Sequence, residues 1–294
     1  MLRNLLPKRL RRALGAIRDV SVTHFYVAKA MRRLNHPRAG RPHGLPGELM
    51  ISLTSYPARF ATLHLTLACL LDQSAKADRT ILWIAHDDIE KLPAAITELK
   101  GRGLEIRACE DLRSYKKLVP ALEAFPNAFI ATADDDVYYP RDWLNALVAG
   151  IKTSPRTIAC HRAHRITRES SGRVAPYLDW DFDVQDDAAR RPSTDLLPTG
   201  VGGVIYPPGS LDRRATDRSL FQRLSRHGDD LWFYWCAHMT GTRHQKVGTR
   251  FHQIVWPETQ SSSLWERNEA GRNDLMIEAL ERELGSTDGI LRHD

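Results

Sequence analysis

Cysteine is scarce in this chain: Cys69, Cys109, Cys160 and Cys236 are the four among 294 residues, scattered with no CxxC pair. That pattern excludes a disulfide scaffold and any zinc site of recognisable spacing, and it suits the buried, reduced thiols of a cytosolic protein. Long apolar runs are missing too. No stretch approaches the roughly 18 to 20 residues needed to span a bilayer, so no transmembrane helix is expected. A secretory leader is not expected either, because Lys8-Arg9 and Arg11-Arg12 interrupt any early run of about 7–15 apolar residues. The GxGxxG fingerprint of dinucleotide binding is also absent.

Charge of one sign does not dominate: 42 lysines and arginines stand against 36 acids, for a net +6. The distribution is uneven. Residues 1–43 hold eleven of the bases and only Asp19 among the acids, so this head carries +10 and the remainder −4. A basic isoelectric point therefore does not mark a nucleic-acid-binding protein, since phosphate contact needs a concentrated basic face on the folded body. At 42% hydrophobic and 27% charged residues the composition is that of an ordinary globular protein. The length suits one large α/β domain or two small ones.

Within the head, Leu2, Leu5, Leu6, Leu10, Leu14 and Ile17 recur at helical spacing, with Arg3, Arg9, Arg11, Arg12 and Arg18 mostly around them. Such a basic amphipathic helix can lie on an anionic membrane surface, or pack on the body. Pro37, Gly40, Pro42, Gly44, Pro46 and Gly47 read as a linker. The expected organisation is thus an extension over 1–47 and a domain over 48–294, divisible into halves 48–140 and 141–294.

From residue 50 onward, strands and helices alternate. Strands are predicted at Met50–Leu53, Thr80–Ala85, Leu104–Ala108 and Ala128–Ala133. Helices are predicted at Phe60–Leu71, Ile89–Lys100, Lys116–Ala124 and Arg141–Lys152. The pattern implies a mostly parallel sheet flanked by helices on both faces, with ligands outside the carboxyl ends of the strands.

At the end of the fourth strand stands Asp134-Asp135-Asp136, followed by Val137-Tyr138-Tyr139-Pro140. Three adjacent carboxylates repel one another, and a helix cap would need only one. On an extended chain Asp134 and Asp136 share a side, with Asp135 opposite. Carboxylates at that spacing can hold Mg2+ or Mn2+ and leave positions open for diphosphate oxygens. Tyr115, Lys116 and Lys117 follow the third strand, where a lysine can neutralise diphosphate or the tyrosine can stack on a base. Asp87 and Asp88 follow the second strand and can cap the next helix.

Four segments, in order, carry a family resemblance: Ser52-Leu53-Thr54-Ser55-Tyr56-Pro57, Asp134 to Pro140, Leu197-Pro198-Thr199-Gly200-Val201-Gly202-Gly203-Val204, and Asp229-Asp230-Leu231-Trp232-Phe233. Over about residues 48–275 the chain resembles bacterial nucleotide-sugar glycosyltransferases of the GT-A (Rossmann-like) fold, similar to glycosyltransferase family 2. The resemblance implies a UDP-sugar donor, Mn2+ or Mg2+, and a glycan or lipid-linked acceptor in cell-surface polysaccharide biosynthesis. It implies that Thr54, Ser55, Tyr56 and Arg59 hold the nucleoside end, with Lys116, Lys117, Asp134 and Asp135 on the donor. Gly202 and Gly203 would border the donor sugar. Asp134 and Asp136 would hold the metal, joined by a C-terminal histidine, His252 or His244. Asp230, or Asp229 beside it, would take the acceptor proton in an inverting displacement.

The residues by themselves leave two other classes open. One is a metal-dependent phosphohydrolase or nucleotidyltransferase using the same acids. The other is a non-enzymatic module binding membrane or nucleic acid through the basic head. The enzyme reading expects a cytoplasmic protein, peripheral on the inner face of the membrane, with no nucleic-acid partner.

Overall fold

The computed structural model describes residues 8–257 and 271–285, the side chains from Val22 onward. Eleven strands lie among them: β1 (Arg41–Pro42), β2 (Leu49–Thr54), β3 (Ala75–Lys76), β4 (Arg79–Ala85), β5 (Leu104–Cys109), β6 (Phe129–Ala133), β7 (Thr157–Cys160), β8 (Ala163–Arg165), β9 (Leu196–Pro198), β10 (Val204–Tyr206) and β11 (Arg243–Lys246). Seven of them form one sheet in the order β11-β7-β10-β6-β2-β4-β5. Only β10 runs against its neighbours β6 and β7; the other six strands point the same way. The sheet takes strands from both expected halves of the domain.

Alternating side chains build a core on each face of this sheet. Along β2, Met50 joins one cluster while Leu49, Ile51 and Leu53 join the other. Along β6, Ile130 faces the first cluster, and Phe129, Ala131 and Ala133 face the second. A strand buried on both sides reads as a continuous apolar run, which is what the sequence shows at both places.

Eight helices are described: α1 (Lys8–Asn35), α2 (Phe60–Leu71), α3 (Ala94–Thr97), α4 (Val119–Ala124), α5 (Trp143–Thr153), α6 (Arg218–Leu224), α7 (Asp229–His238) and α8 (Arg272–Leu284). Helices α2 and α5 cover the face of Ile51, through Leu63, Leu67, Trp143 and Leu147. Helix α7 covers the face of Met50, with Trp232, Phe233 and Tyr234 fully buried beside Phe221 of α6.

Several boundaries differ from the sequence expectation. The helix expected over Ile89–Lys100 is broken: a 3-10 turn over His86–Lys91, the short α3, and a second 3-10 turn over Glu98–Arg102. Pro93 has no N–H to continue the first turn, so the chain restarts after it. The helix expected from Lys116 begins only at Val119, after a 3-10 turn over Arg113–Lys117. The linker is tied down, because Arg41–Pro42 of β1 pairs in parallel with Ala75–Lys76 of β3.

The amphipathic face from Leu2 to Ile17 lies outside the residues whose side chains are described. From Tyr26 on, α1 packs on the body through Tyr26, Val27, Met31 and Leu34. Ala30 is fully buried, and the guanidinium of Arg33, 5% exposed, donates to the Tyr139 carbonyl at 2.6 Å, the Cys69 carbonyl at 2.7 Å and Asp72 Oδ2 at 2.8 Å. No described helix is long and apolar enough to cross a membrane.

Candidate active site

Strand β6 delivers Asp134 at its carboxyl end, and the chain then bends at Asp135 and Asp136. The extended alternation expected for the three acids is therefore not kept. Their loop is clamped from two sides. The hydroxyl of Thr66 on α2 faces the Asp135 carbonyl at 2.9 Å and the Val137 carbonyl at 3.1 Å, while accepting from Trp256 Nε1 at 2.7 Å. The segment ending at Trp256 runs alongside: Tyr138 N–H donates to the Ile254 carbonyl at 2.9 Å, and Trp256 N–H to the Asp136 carbonyl at 3.0 Å. Behind them the Tyr139 hydroxyl accepts from the Asp134 N–H at 2.8 Å.

Each carboxylate finds a different partner. Asp135 Oδ2 accepts from Ser55 Oγ at 2.5 Å, and Asp136 is ion-paired with Arg59. Asp134 Oδ1 lies 3.3 Å from Lys117 Nζ, which also stands 3.1 Å from Asp229 Oδ2. Lys117 thus bridges the acids after β6 and the pair opening α7. Burial alone would favour an uncharged lysine, yet Asp229, Asp134 and Asp230 outweigh it and hold Lys117 well above its ordinary pKa. Burial also pushes the carboxyl of Asp135 up to about 6, with Asp136 adding repulsion. It raises Asp136 as well, helped by Asp134 and opposed by Arg59.

Asp229 and Asp230 open α7, but neither caps it: the N-cap position is Gly228, without a side-chain bond. Asp230 Oδ1 instead accepts the Gly200 N–H at 2.9 Å. Burial, and then the charge of Asp229, push Asp230 up to about 7 against the opposing pull of Lys117. A carboxyl titrating near neutrality can take a proton at physiological pH.

The glycine-rich turn divides its labour. Gly202 and Gly203 have φ of +94° and +95°, and a Cβ on Gly203 would meet the Trp143 ring at 2.5 Å. These two are fixed by a turn and by packing. Gly200, which the sequence reading did not single out, is the one against the acids: a Cβ there would lie 2.5 Å from Lys117 Nζ and 3.2 Å from Asp230 Oδ1.

Other expected residues stand elsewhere. Lys116 turns the opposite way from Lys117 and is buried against Asp111, at 2.7 Å. The Thr54 hydroxyl donates to the Trp83 carbonyl at 2.8 Å, holding the end of β2 to β4. Tyr56 is exposed over the Arg59 guanidinium, 5.9 Å from its ring centre. Asp88 pairs with Lys91 at 2.7 Å in the turn after β4. His252 is exposed and completes no ligand cluster with Asp134 and Asp136. His244 lies within β11, 1% exposed, stacked 5.3 Å from Tyr234 of α7, and burial drops it to about 3. It belongs to the core. Thr66, Tyr139 and Trp256, which shape the acidic loop, carried no signal beyond being polar or aromatic.

The donor set suits a hard divalent cation. Asp134, Asp135, Asp136, Asp229 and Asp230 face the side-chain cations Arg59 and Lys117, and burial, with the neighbouring carboxylates adding repulsion, raises Asp135, Asp136 and Asp230. Oxygen donors with surplus charge are the chemistry of Mg2+ and Mn2+. Among the described residues no three histidines, cysteines or carboxylates stand as a ready-made ligand cluster. Asp134 and Asp136 face their basic partners, so a bound cation would compete with Lys117 and Arg59 for them.

No protein-family model matches the chain, and no curated protein matches it in sequence. Among solved structures it is similar to a mannosyltransferase from Pyrobaculum calidifontis in complex with GDP-Man and Mn2+. The TM-score is 0.50 at 15% identity, over 92% of this chain and 74% of that one. A likeness at that identity is one of fold. The mostly parallel, helix-flanked sheet is Rossmann-like, an architecture shared with that neighbour.

Proposed function

We propose that the chain is a glycosyltransferase that moves a hexosyl group from a nucleoside-diphosphate sugar to an acceptor hydroxyl. The observation that carries this is the meeting of two acidic clusters through one lysine: Lys117 Nζ lies 3.3 Å from Asp134 and 3.1 Å from Asp229. One cluster lies at the end of β6, where an open parallel sheet binds its ligands. The other holds a carboxylate poised near neutrality.

Ser55, Tyr56 and Arg59 form the wall toward the nucleoside, and Arg59 and Lys117 supply positive charge for the diphosphate. Mg2+ or Mn2+, held by Asp134 and Asp136, would neutralise charge on the leaving diphosphate. Asp230, oriented by the Gly200 N–H, removes the acceptor hydroxyl proton. That oxygen then bonds to the anomeric carbon as the carbon–oxygen bond to the diphosphate breaks, inverting the configuration. UDP is the nucleotide we favour from the sequence resemblance; GDP is the rival, since the similar mannosyltransferase was solved with GDP-Man. A glycan or lipid-linked acceptor in polysaccharide assembly fits the same chemistry. Placement at the inner membrane face is supported by the +10 head and by the exposed Phe25 and Val22 on α1.

Nucleotide release and product anomer should be followed with UDP- and GDP-sugars plus Mn2+. Transfer with inversion, abolished in Asp136→Ala and Asp230→Asn, is the expected result. Full turnover by Asp136→Ala, or no thermal shift with any nucleotide, would count against it.

A further inference from the structure

A second charged cluster lies beside the acids and has the opposite sign. The sheet register sets Thr132 of β6, Val204 of β10, Cys160 of β7 and Lys246 of β11 in one row. Lys246 therefore stands level with the strand end that carries Asp134, three strand spacings or about 14 Å across the sheet. It is 2% exposed, and its ammonium donates to the Thr249 carbonyl at 3.3 Å. Among the described residues it has no carboxylate within ion-pairing distance. Burial lowers its pKa, and Arg190 and Arg250 lower it further, against the opposing pull of Cys160 and Asp183.

Arg162, Arg190 and Arg250 complete the group. Arg162 donates to Thr199 Oγ1 at 3.1 Å, next to the Gly200 that orients Asp230. Arg190 holds the Gly248 carbonyl, and its Asp187 partner is 96% exposed, an ion pair of little worth in solvent. The remaining carboxylate is Asp183. Its Oδ2 accepts from Arg250 Nε at 2.9 Å, and its Oδ1 lies 4.0 Å from Arg162 Nε. Asp183 sits at φ +48°, a left-handed conformation uncommon for a non-glycine residue.

Four cations against one shared, partly buried carboxylate repel one another, and a buried lysine without a counter-ion is costly. A ligand anion would relieve both. We infer that the acceptor carries an acidic group, a carboxylate or a phosphate, bound by Arg162, Arg190, Lys246 and Arg250 on the acceptor side of Asp230. Arginine forks match both anions in bidentate geometry. The word acceptor rests on the transferase proposal; the anion site itself does not.

The test uses the full chain with a nucleoside diphosphate added to fill the donor half. Binding of methyl β-glucoside, methyl β-glucuronide and methyl β-glucoside 6-phosphate is titrated by ligand-observed NMR. At least one acidic probe should bind about tenfold more tightly than the neutral one, and which acid wins separates a uronic acid from a phosphate as the source. The exposed pair Arg190→Gln with Arg250→Gln should remove most of that preference and leave nucleotide affinity unchanged. Lys246→Met should do the same if it folds. Equal binding of the three probes, or a preference that survives in the arginine double variant, overturns the proposal. Nucleotide that fails to bind while an acidic probe still does would count against the transferase and leave the anion site standing.

Discussion

Gly200 holds Asp230 through its backbone, its N–H donating to Asp230 Oδ1 across 2.9 Å. Its missing side chain matters as much, because a Cβ would lie 2.5 Å from Lys117 Nζ, the far end of a flexible chain. Gly200→Ala should therefore displace the ammonium and lower kcat about tenfold or more with little change in melting temperature. Gly203→Ala is the contrast. At φ +95° and 2.5 Å from the Trp143 ring, it should cost about 2–4 kcal/mol of stability. Rates and thermal melts of the two variants check both. An unchanged rate in Gly200→Ala would remove Lys117 from the chemistry.

Asp230 predicts a pH profile. A base must be deprotonated to act, so with its carboxyl near 7 the rate should fall about tenfold between pH 8 and pH 6. The same shift bears on stability. A folded-state pKa above the unfolded value favours the protonated folded protein, so stability declines as pH rises from the ordinary carboxylate range through about 7. Asp230→Asn removes that ionisation. At pH 8 it should be inactive yet more stable by about 1–2 kcal/mol, read as a higher melting temperature.

Lys117 opposes the upward shift of Asp230. Lys117→Met should move the acid limb of the rate profile alkaline by about one unit and cost about 3 kcal/mol of stability, since Asp134 and Asp229 lose their shared cation. A profile that stays in place would show that Asp230 is not the group titrating.

Arg33 and Asp72 are 5% and 1% exposed. Arg33→Met should destabilise the fold by about 3 kcal/mol, the low end for a broken buried pair, because Arg141 and Arg38 also approach Asp72 at 3.7 and 3.8 Å. Denaturant titration measures it; a loss below about 1 kcal/mol would mean those two arginines compensate fully.

Much of this was legible in the sequence, and the failures share a cause. Strands β2, β4 and β6 announce themselves as apolar runs and β5 as an alternation, and the acids stand at the edges of apolar runs, Asp134 after β6 and Asp229 before the Leu231–Trp235 stretch of α7. What the sequence hides is phase and distance. Lys116 and Lys117 look equivalent, but one 3-10 turn sends the first to Asp111 and the second to Asp134. Bends at Asp135 and Asp136 undo the alternation that an extended chain would keep. His244 is a plausible ligand by type, yet its strand buries it behind α7. Arg33 reads as one more base of a charged helix because its partner Tyr139 is 106 positions away.

That last contact has a practical consequence. The carbonyl gripped by Arg33 belongs to Tyr139, whose hydroxyl accepts from the Asp134 N–H. Trimming the basic head at residue 43 would take Arg33 and Arg38 from Asp72, leaving it only the more distant Arg141, and slacken the acidic loop at the same stroke. Loss of activity in so short a chain would say nothing about membranes. A cut that separates address from catalysis has to spare Tyr26, Val27, Ala30 and Arg33, through which α1 packs on the body.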